Sequence, residues 1–150
     1  MGKVYLDSRI GVWEIITDSG FLTKINLVDR AREELNDDVG IEVKRQLSAY
    51  FDGKLKVFDL PIKLNGQGFC LKVWESMRTI PYGKTVTYGD LASMAGSPKA
   101  YRSAGSCAGK NPIPIIVPCH RVVASIGLGG FGLGLDVKRY LLALEQAYLV

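Results

Sequence analysis

Long apolar runs are missing from this sequence: no stretch approaches the roughly 20 residues needed to cross a bilayer. The opening segment from Met1 to Arg9 already carries Lys3, Asp7 and Arg9, which excludes the apolar core of a secretory signal. The expected location is therefore intracellular: cytoplasmic, or nuclear in a eukaryote. Cysteine is scarce, with Cys70, Cys107 and Cys119 odd in number and widely spaced. In a chain long enough to build its own core this excludes a disulfide-stapled scaffold and predicts reduced thiols. There is one histidine, His120, and no internal repeat or low-complexity tract.

What is present is ordinary globular material, 47% hydrophobic and 23% charged over 150 residues, enough for one compact unit or two packed lobes. The charge is unevenly divided. Residues 1–64 carry a net −1 and residues 65–150 a net +5, so a positive field sits on the C-terminal half, a footprint common to nucleic-acid binding and to proteins that bind nothing acidic.

Gly11 to Thr17 and Phe21 to Val28 are β-rich and separated by the turn cluster Asp18-Ser19-Gly20, which predicts a hairpin, with a further strand near Val4 to Leu6. Ile41, Val43, Leu47, Tyr50 and Phe51 recur at helical spacing until Gly53. Lys54 to Leu64 reads as extended, with Pro61 marking an edge strand or connection. Asn65-Gly66-Gln67-Gly68 punctuates the chain, and the lobe boundary is placed there: residues 1–64, then 65–150. Beyond it Phe69, Val73, Trp74 and Met77 predict an amphipathic helix. The expected fold class is α/β in the α+β sense: a small N-terminal antiparallel sheet with helices, packed on a mainly helical C-terminal lobe containing a winged helix-turn-helix.

The helix pair comes from residues 87–108. Thr87 followed by Asp90 resembles a capping box, Leu91, Ala92 and Ala95 supply an apolar face, and Gly96 closes the helix. Ser97 and Pro98 then predict a second helix, Ser97 as cap and Pro98 at the first helical position, continuing from Lys99 to Ala108. That second helix is poor in large side chains. Such a thin surface suits close packing in a core, or insertion into a DNA groove with Arg102 and Tyr101 reaching the nucleotides.

Chemistry is expected at Cys119. It lies with His120 and Arg121 between the apolar runs Ile113 to Val117 and Val122-Val123, where unpaired polar groups are costly. A cysteine nucleophile acts as its thiolate; an imidazole takes the proton and nearby positive charge lowers the thiol pKa. Adjacent residues of an extended segment point apart, so a dyad requires a turn or a bridging water. An inert buried cysteine is the plain alternative, and a zinc site from Cys70, Cys107, Cys119 and His120 fits ligand spacing poorly.

Pro118-Cys119-His120-Arg121-Val122, preceded by Asn111-Pro112 and by Arg102 in a small-residue helix, resembles the O6-alkylguanine-DNA alkyltransferases across roughly residues 69 to 146; the N-terminal lobe is similar only in size and coarse pattern. The resemblance implies that Cys119 accepts the alkyl group, His120 acts as base through water, and Glu145 orients His120. It further implies that Asn111 fixes the turn presenting the cysteine and Tyr88 helps protonate the leaving guanine. By the same resemblance Arg102 is expected to take the place of the flipped nucleotide, with Tyr101, Ser97, Lys99, Ala100, Ser103, Thr87 and Arg121 expected to complete the DNA surface. The resemblance places Val122, Phe131, Gly132 and Leu133 at the expected substrate pocket.

Several features depart from the family or from simpler motifs. Gly127 to Gly132 matches GxGxxG, but too little chain follows for a dinucleotide fold, and the segment resembles the family's pocket loop. Phe131 and Gly132 stand where the family has tyrosine and serine. Some relatives hold a structural zinc in the N-terminal lobe; residues 1–64 contain neither cysteine nor histidine, so no metal is expected, and no cofactor. The expected partner is double-stranded DNA carrying O6-alkylguanine, bound by a monomer with cooperativity on DNA left open, and no membrane. A damage-sensing DNA binder without chemistry and an unrelated cysteine hydrolase are the alternatives. The retained Cys119 argues against the first, and Arg102 with the thin helix against the second.

Overall fold

Alternating apolar residues and one turn build the first sheet. In the computed structural model, which describes residues 1–149, β1 (Gly2–Ser8), β2 (Gly11–Asp18) and β3 (Phe21–Val28) pair antiparallel in the order β1-β2-β3. Ser19 and Gly20 both take positive φ, 52° and 84°, the backbone of a two-residue turn whose twist matches the strands it joins. Every second residue of β2 from Trp13 to Thr17 is buried. α1 (Asp38–Phe51) covers one face of the sheet. Asp37 caps this helix through Gly40 N–H, 2.7 Å, and Val43, Leu47 and Tyr50 meet Val4, Trp13, Ile15, Leu22 and Ile25 in the core. Each such side chain, fully buried, contributes on the order of 1.5–3 kcal/mol.

The stretch after α1, expected as extended, forms no regular strand. It touches the sheet through one isolated bridge, Leu22 with Ile62, closed by Leu22 N–H to Pro61 O (2.8 Å) and Lys63 N–H to Leu22 O (2.9 Å). Pro61 cannot donate to a ladder, and only a short contact survives beside it. Residues Met1–Leu64 constitute one compact unit, and a second begins at Asn65.

The second unit is mainly helical: α2 (Gly68–Met77), α3 (Tyr88–Met94), α4 (Tyr101–Gly109) and α5 (Leu135–Ala147), with a two-residue parallel pair of β4 (Val86–Thr87) and β5 (Val122–Val123). Thr87 and Asp90 form a full capping box on α3, and Gly96 at φ 88° ends the helix-terminal turn. The helix after it starts later than Ser97 and Pro98 predict. Ser97 to Ala100 is a turn closed by Ala100 N–H to Ser97 O, 2.9 Å, and α4 begins at Tyr101 with Ala100 as N-cap and no side-chain cap. A chain that must reverse between two short helices spends these four residues on the reversal.

The cysteine expectation is overturned. Cys70 of α2 and Cys107 of α4 form a disulfide, Cα to Cα 5.0 Å, and Trp74 Nε1–H donates to the Cys107 carbonyl, 2.8 Å. The 37-residue separation hid the pair in a sequence where spacing suggested unlinked thiols. It also removes both sulfurs from any zinc site.

Candidate active site

Cys119 is presented by a turn rather than a strand. The run Ile113 to Val117 folds back on itself, with Val117 N–H bonded to Ile113 O at 2.9 Å. Asn111 straps the turn from both sides, its Oδ1 accepting from Ile113 N–H (3.0 Å) and its Nδ2 donating to Val117 O (2.7 Å). Ile115 sits at φ 75°, a conformation costly for a β-branched residue and tolerated where the surroundings enforce it. Cys119–Arg121 then forms a single 3-10 turn, so the three side chains fan out instead of alternating across a strand.

The cysteine is 8% exposed and is the one free thiol among the described residues. Burial pushes its pKa up to about 11, against the smaller opposing pulls of the Asn111 side chain, the Lys138 charge and nearby backbone N–H groups. The expected lowering of the thiol by neighbouring charge is thus outweighed by desolvation. At rest the group is a thiol, and it needs a base.

His120 is fully buried. Its Nε2 lies 2.6 Å from Glu145 Oε2, while its Nδ1 has no protein hydrogen-bond partner. Burial is the main cause that pulls the ring's pKa below its ordinary value, opposed by Glu145 and assisted by the charges of Arg121 and Lys138. A neutral imidazole at neutral pH follows, the form that can accept a proton.

A cavity of about 470 Å³ opens beside the thiol, with Cys119 in its lining. Gly105, Ala108 and Gly109 of α4 form one wall, Tyr88 another, and Gly130 and Phe131 a third; Tyr101 and Arg102 complete the lining. The α4 wall is made of small residues, and a Cβ on Gly105 would just reach ordinary contact with the Tyr88 ring, 3.4 Å. Gly129, at φ 73°, would drive a Cβ to 2.6 Å from the Tyr88 hydroxyl, so only glycine lets that loop close on the tyrosine. The Tyr88 hydroxyl accepts from Gly130 N–H (3.1 Å) and donates to Gly130 O (3.3 Å).

Tyr101, Arg102 and Ser103 are exposed on the first turn of α4 and Lys99 on the turn before it, with Ser97 and Ala100 half-buried. The Arg102 guanidinium lies 5.9 Å over the Tyr101 ring, a cation–π contact. Thr87 is committed to its cap on α3. Arg121 corrects the expectation that it contacts DNA: it is buried, with Nε and Nη2 on Glu145 (2.9 and 3.0 Å) and Nη1 on Ile80 O (2.7 Å). A charge inside an apolar turn is tolerated only when paired, and Glu145 pairs it. Of the expected pocket residues Phe131 lines the cavity, whereas Val122, Gly132 and Leu133 do not. Val122 is buried in β5, and Gly132 lies against the end of α4, where a Cβ would come within 3.1 Å of Gly109 O.

One residue escaped the sequence reading. Lys138 of α5 is fully buried; its ammonium donates to Val122 O (2.6 Å) and Gly130 O (2.9 Å) and lies near the Tyr88 and Phe131 rings. It ties the pocket loop to the strand that follows Cys119. A lysine in register with Val137, Leu141 and Glu145 on the buried face of α5 was the available signal.

Two family models match the chain: the ribonuclease-like domain of 6-O-methylguanine DNA methyltransferase over residues 1–64, and its DNA-binding domain over residues 68–147. The chain belongs to the 6-O-methylguanine DNA methyltransferase family. A relative from Mycolicibacterium paratuberculosis named methylated-DNA–protein-cysteine methyltransferase is 41% identical over 150 residues, covering 95% of this chain and 91% of its own. The crystal structure of the Mycobacterium tuberculosis O6-methylguanine methyltransferase superposes with a TM-score of 0.89 at 38% identity, covering 97% and 93% of the two chains. The same mycobacterial protein in complex with DNA matches equally, at 37% identity and TM-score 0.89. Membership in the 6-O-methylguanine DNA methyltransferase family thus includes the N-terminal unit, where the sequence pattern alone gave only a likeness in size. Among the described residues of this family member, no group of three or more His, Cys, Asp or Glu side chains is placed to hold a metal ion.

Proposed function

We propose that this chain repairs alkylated DNA by taking the alkyl group from O6 of guanine onto Cys119 Sγ, one transfer per molecule. The observation that carries the reading is a lone buried thiol in the lining of a purine-sized cavity, next in sequence to a buried His120 whose Nδ1 is without a partner. Relatives named for transfer to a protein cysteine support it, and a DNA complex of a close structural match supports DNA as the partner.

A stacked guanine hides its O6 group, so the nucleotide is flipped into the cavity at a cost of a few kcal/mol, reduced by the weakened base pair of a lesion. Arg102, at the cavity mouth on a slender helix, fills the space left in the duplex, as side chains inserted from a minor groove do. The Cys119 proton passes through a water to His120 Nδ1 as sulfur bonds to the alkyl carbon. The carbon–O6 bond breaks and its electron pair goes to the purine. Tyr88, freed from Gly130, donates a proton to the guanine ring and recovers one from the His120 side. On balance the thiol hydrogen ends on guanine and a thioether remains. A thioether offers no labile bond, so the protein is consumed.

Intact-protein mass spectrometry after incubation with O6-methylguanine duplex tests this. The expected result is a gain of one methylene mass on the Cys119 peptide, abolished in Cys119→Ser with DNA binding retained. Unchanged mass with the lesion intact reduces the protein to a DNA binder.

A further inference from the structure

The buried carboxylate of Glu145 accepts hydrogen bonds on both of its oxygens. Its Oε1 accepts from Arg121 Nε (2.9 Å) and from Gly83 N–H (3.0 Å). Its Oε2 accepts from Arg121 Nη2 (3.0 Å) and faces His120 Nε2 at 2.6 Å. The third arm of Arg121, Nη1, holds the Ile80 carbonyl at 2.7 Å, and its guanidinium lies 5.7 Å over the Tyr82 ring. Glu145 is 1% exposed and Arg121 6% exposed, so the pair lies out of contact with bulk water.

The geometry points to Arg121 as a positioning residue of the proton relay: by forking onto Glu145 it keeps that group an ionised acceptor, which obliges His120 to donate through Nε2–H and leaves Nδ1, which has no protein partner, as the unprotonated nitrogen. This rests on the proposed alkyl transfer and goes beyond it. An arginine donates only and does not lose its charge, so a carboxylate gripped on both oxygens has no reason to hold a proton. A protonated Glu145 would instead donate to Nε2 and send the ring's hydrogen to Nδ1, where it blocks the base. Two-point arginine–carboxylate pairing also fixes direction, which a point charge does not.

Charge balance supports the assignment. The charged and titratable groups facing the ring are Glu145 and Lys138 from α5, Cys119 and Arg121 from its own turn, and Tyr82 from the segment before β4 by way of Arg121 and Glu145. The buried face of α2, which also packs here, brings only Val73, Trp74 and Met77. With Arg121 present, Glu145 is neutralised and His120 rests uncharged. Without it, the lone carboxylate would draw a proton onto the ring before any substrate arrives.

His120 is the only histidine, so its ring nitrogens can be read alone in the full-length 15N-labelled protein. At neutral pH the wild type is expected to show a neutral ring protonated on Nε2. Arg121→Met is expected to raise the midpoint of ring protonation and to carry with it the acid limb of the single-turnover rate with free O6-benzylguanine. Each unit of displacement costs roughly tenfold on that limb and less on the alkaline plateau. Arg121→Lys, restoring charge without the fork, is expected to bring both midpoints back toward wild type at a lower rate. A uniform loss of rate at all pH values with an unmoved ring titration overturns the inference. If Arg121→Met does not fold, the wild-type ring decides: a proton on Nδ1 at neutral pH overturns it equally. The ring titration needs no alkyl transfer. A wild type that gains no benzyl mass therefore sinks the proposed function and leaves the Arg121 measurement standing.

Discussion

The two units of this chain treat buried polarity in opposite ways. In residues 1–64 the buried polar side chains are Thr17 and Gln46, both uncharged and bonded to near neighbours: Thr17 to Asp37, Gln46 to Glu42 and Asp59. The charges of that unit stay at the surface, as in the exposed Arg45–Glu42 pair. In the second unit His120, Arg121, Lys138 and Glu145 are all buried. Burying four ionisable groups costs several kcal/mol each before pairing, and a structure built for stability alone would avoid it. The contrast separates a unit that holds its shape cheaply from one whose core is arranged around a reaction.

Removing one member of each kind of pair breaks the comparison most sharply. Glu145→Ala strands Arg121 and His120 in the interior and is expected to destabilise the second unit by about 3–5 kcal/mol, the usual result of leaving one charge of a buried pair alone. Glu42→Ala in the first unit is expected to leave the melting temperature unchanged, since exposed pairs of this kind contribute little. Thermal unfolding of the two variants, with Trp13 and Trp74 reporting on the first and second units, checks both. Equal shifts would erase the distinction.

The units differ in a second respect, their cross-links. Cys70–Cys107 closes a loop of 37 residues, whereas residues 1–64 have no cysteine. In the chain-entropy picture such a bridge is worth about 4 kcal/mol. Reduction with a dithiol, or the Cys70→Ser/Cys107→Ser double variant, is expected to lower the Trp74-monitored midpoint by roughly 15 °C and to leave the Trp13-monitored one in place. An unmoved Trp74 midpoint would show that helix packing alone holds α2 to α4.

Patterns with short range were legible in the sequence, and those with long range were not. The hairpin at Ser19-Gly20, the helix ending at Gly53 and the Thr87 capping box each depend on a few adjacent residues, and each formed as their spacing predicts. Cys119 and His120 stood out because a cysteine and a lone histidine interrupt an apolar run. What escaped depends on partners far along the chain: the disulfide, 37 residues apart, and the capture of Arg121 by Glu145, 24 residues away. The thiol's high pKa escaped for a related reason. Local charge could be counted, but the depth of burial that outweighs it belongs to the folded turn.

Acid should part the units by the smallest margin and in a defined order. His120 is held below its ordinary value of 6.5, chiefly by burial. The unfolded chain therefore takes up a proton at a pH where the native ring does not, and the second unit starts to lose stability as pH falls through 6.5. In the first unit Asp37 is held below its ordinary 3.8, first by the Thr17 hydroxyl and then by Gly40 N–H, against desolvation. Its contribution is complete above 3.8 and fades only as pH drops beneath that. Between pH 7 and 5 the Trp74 melting midpoint is thus expected to decline by a few degrees while the Trp13 midpoint holds. His120→Asn, which cannot titrate, should flatten the Trp74 profile over that interval. A first unit that loosens before the second on acidification would mean that the buried ring is not what makes the second unit sensitive to pH.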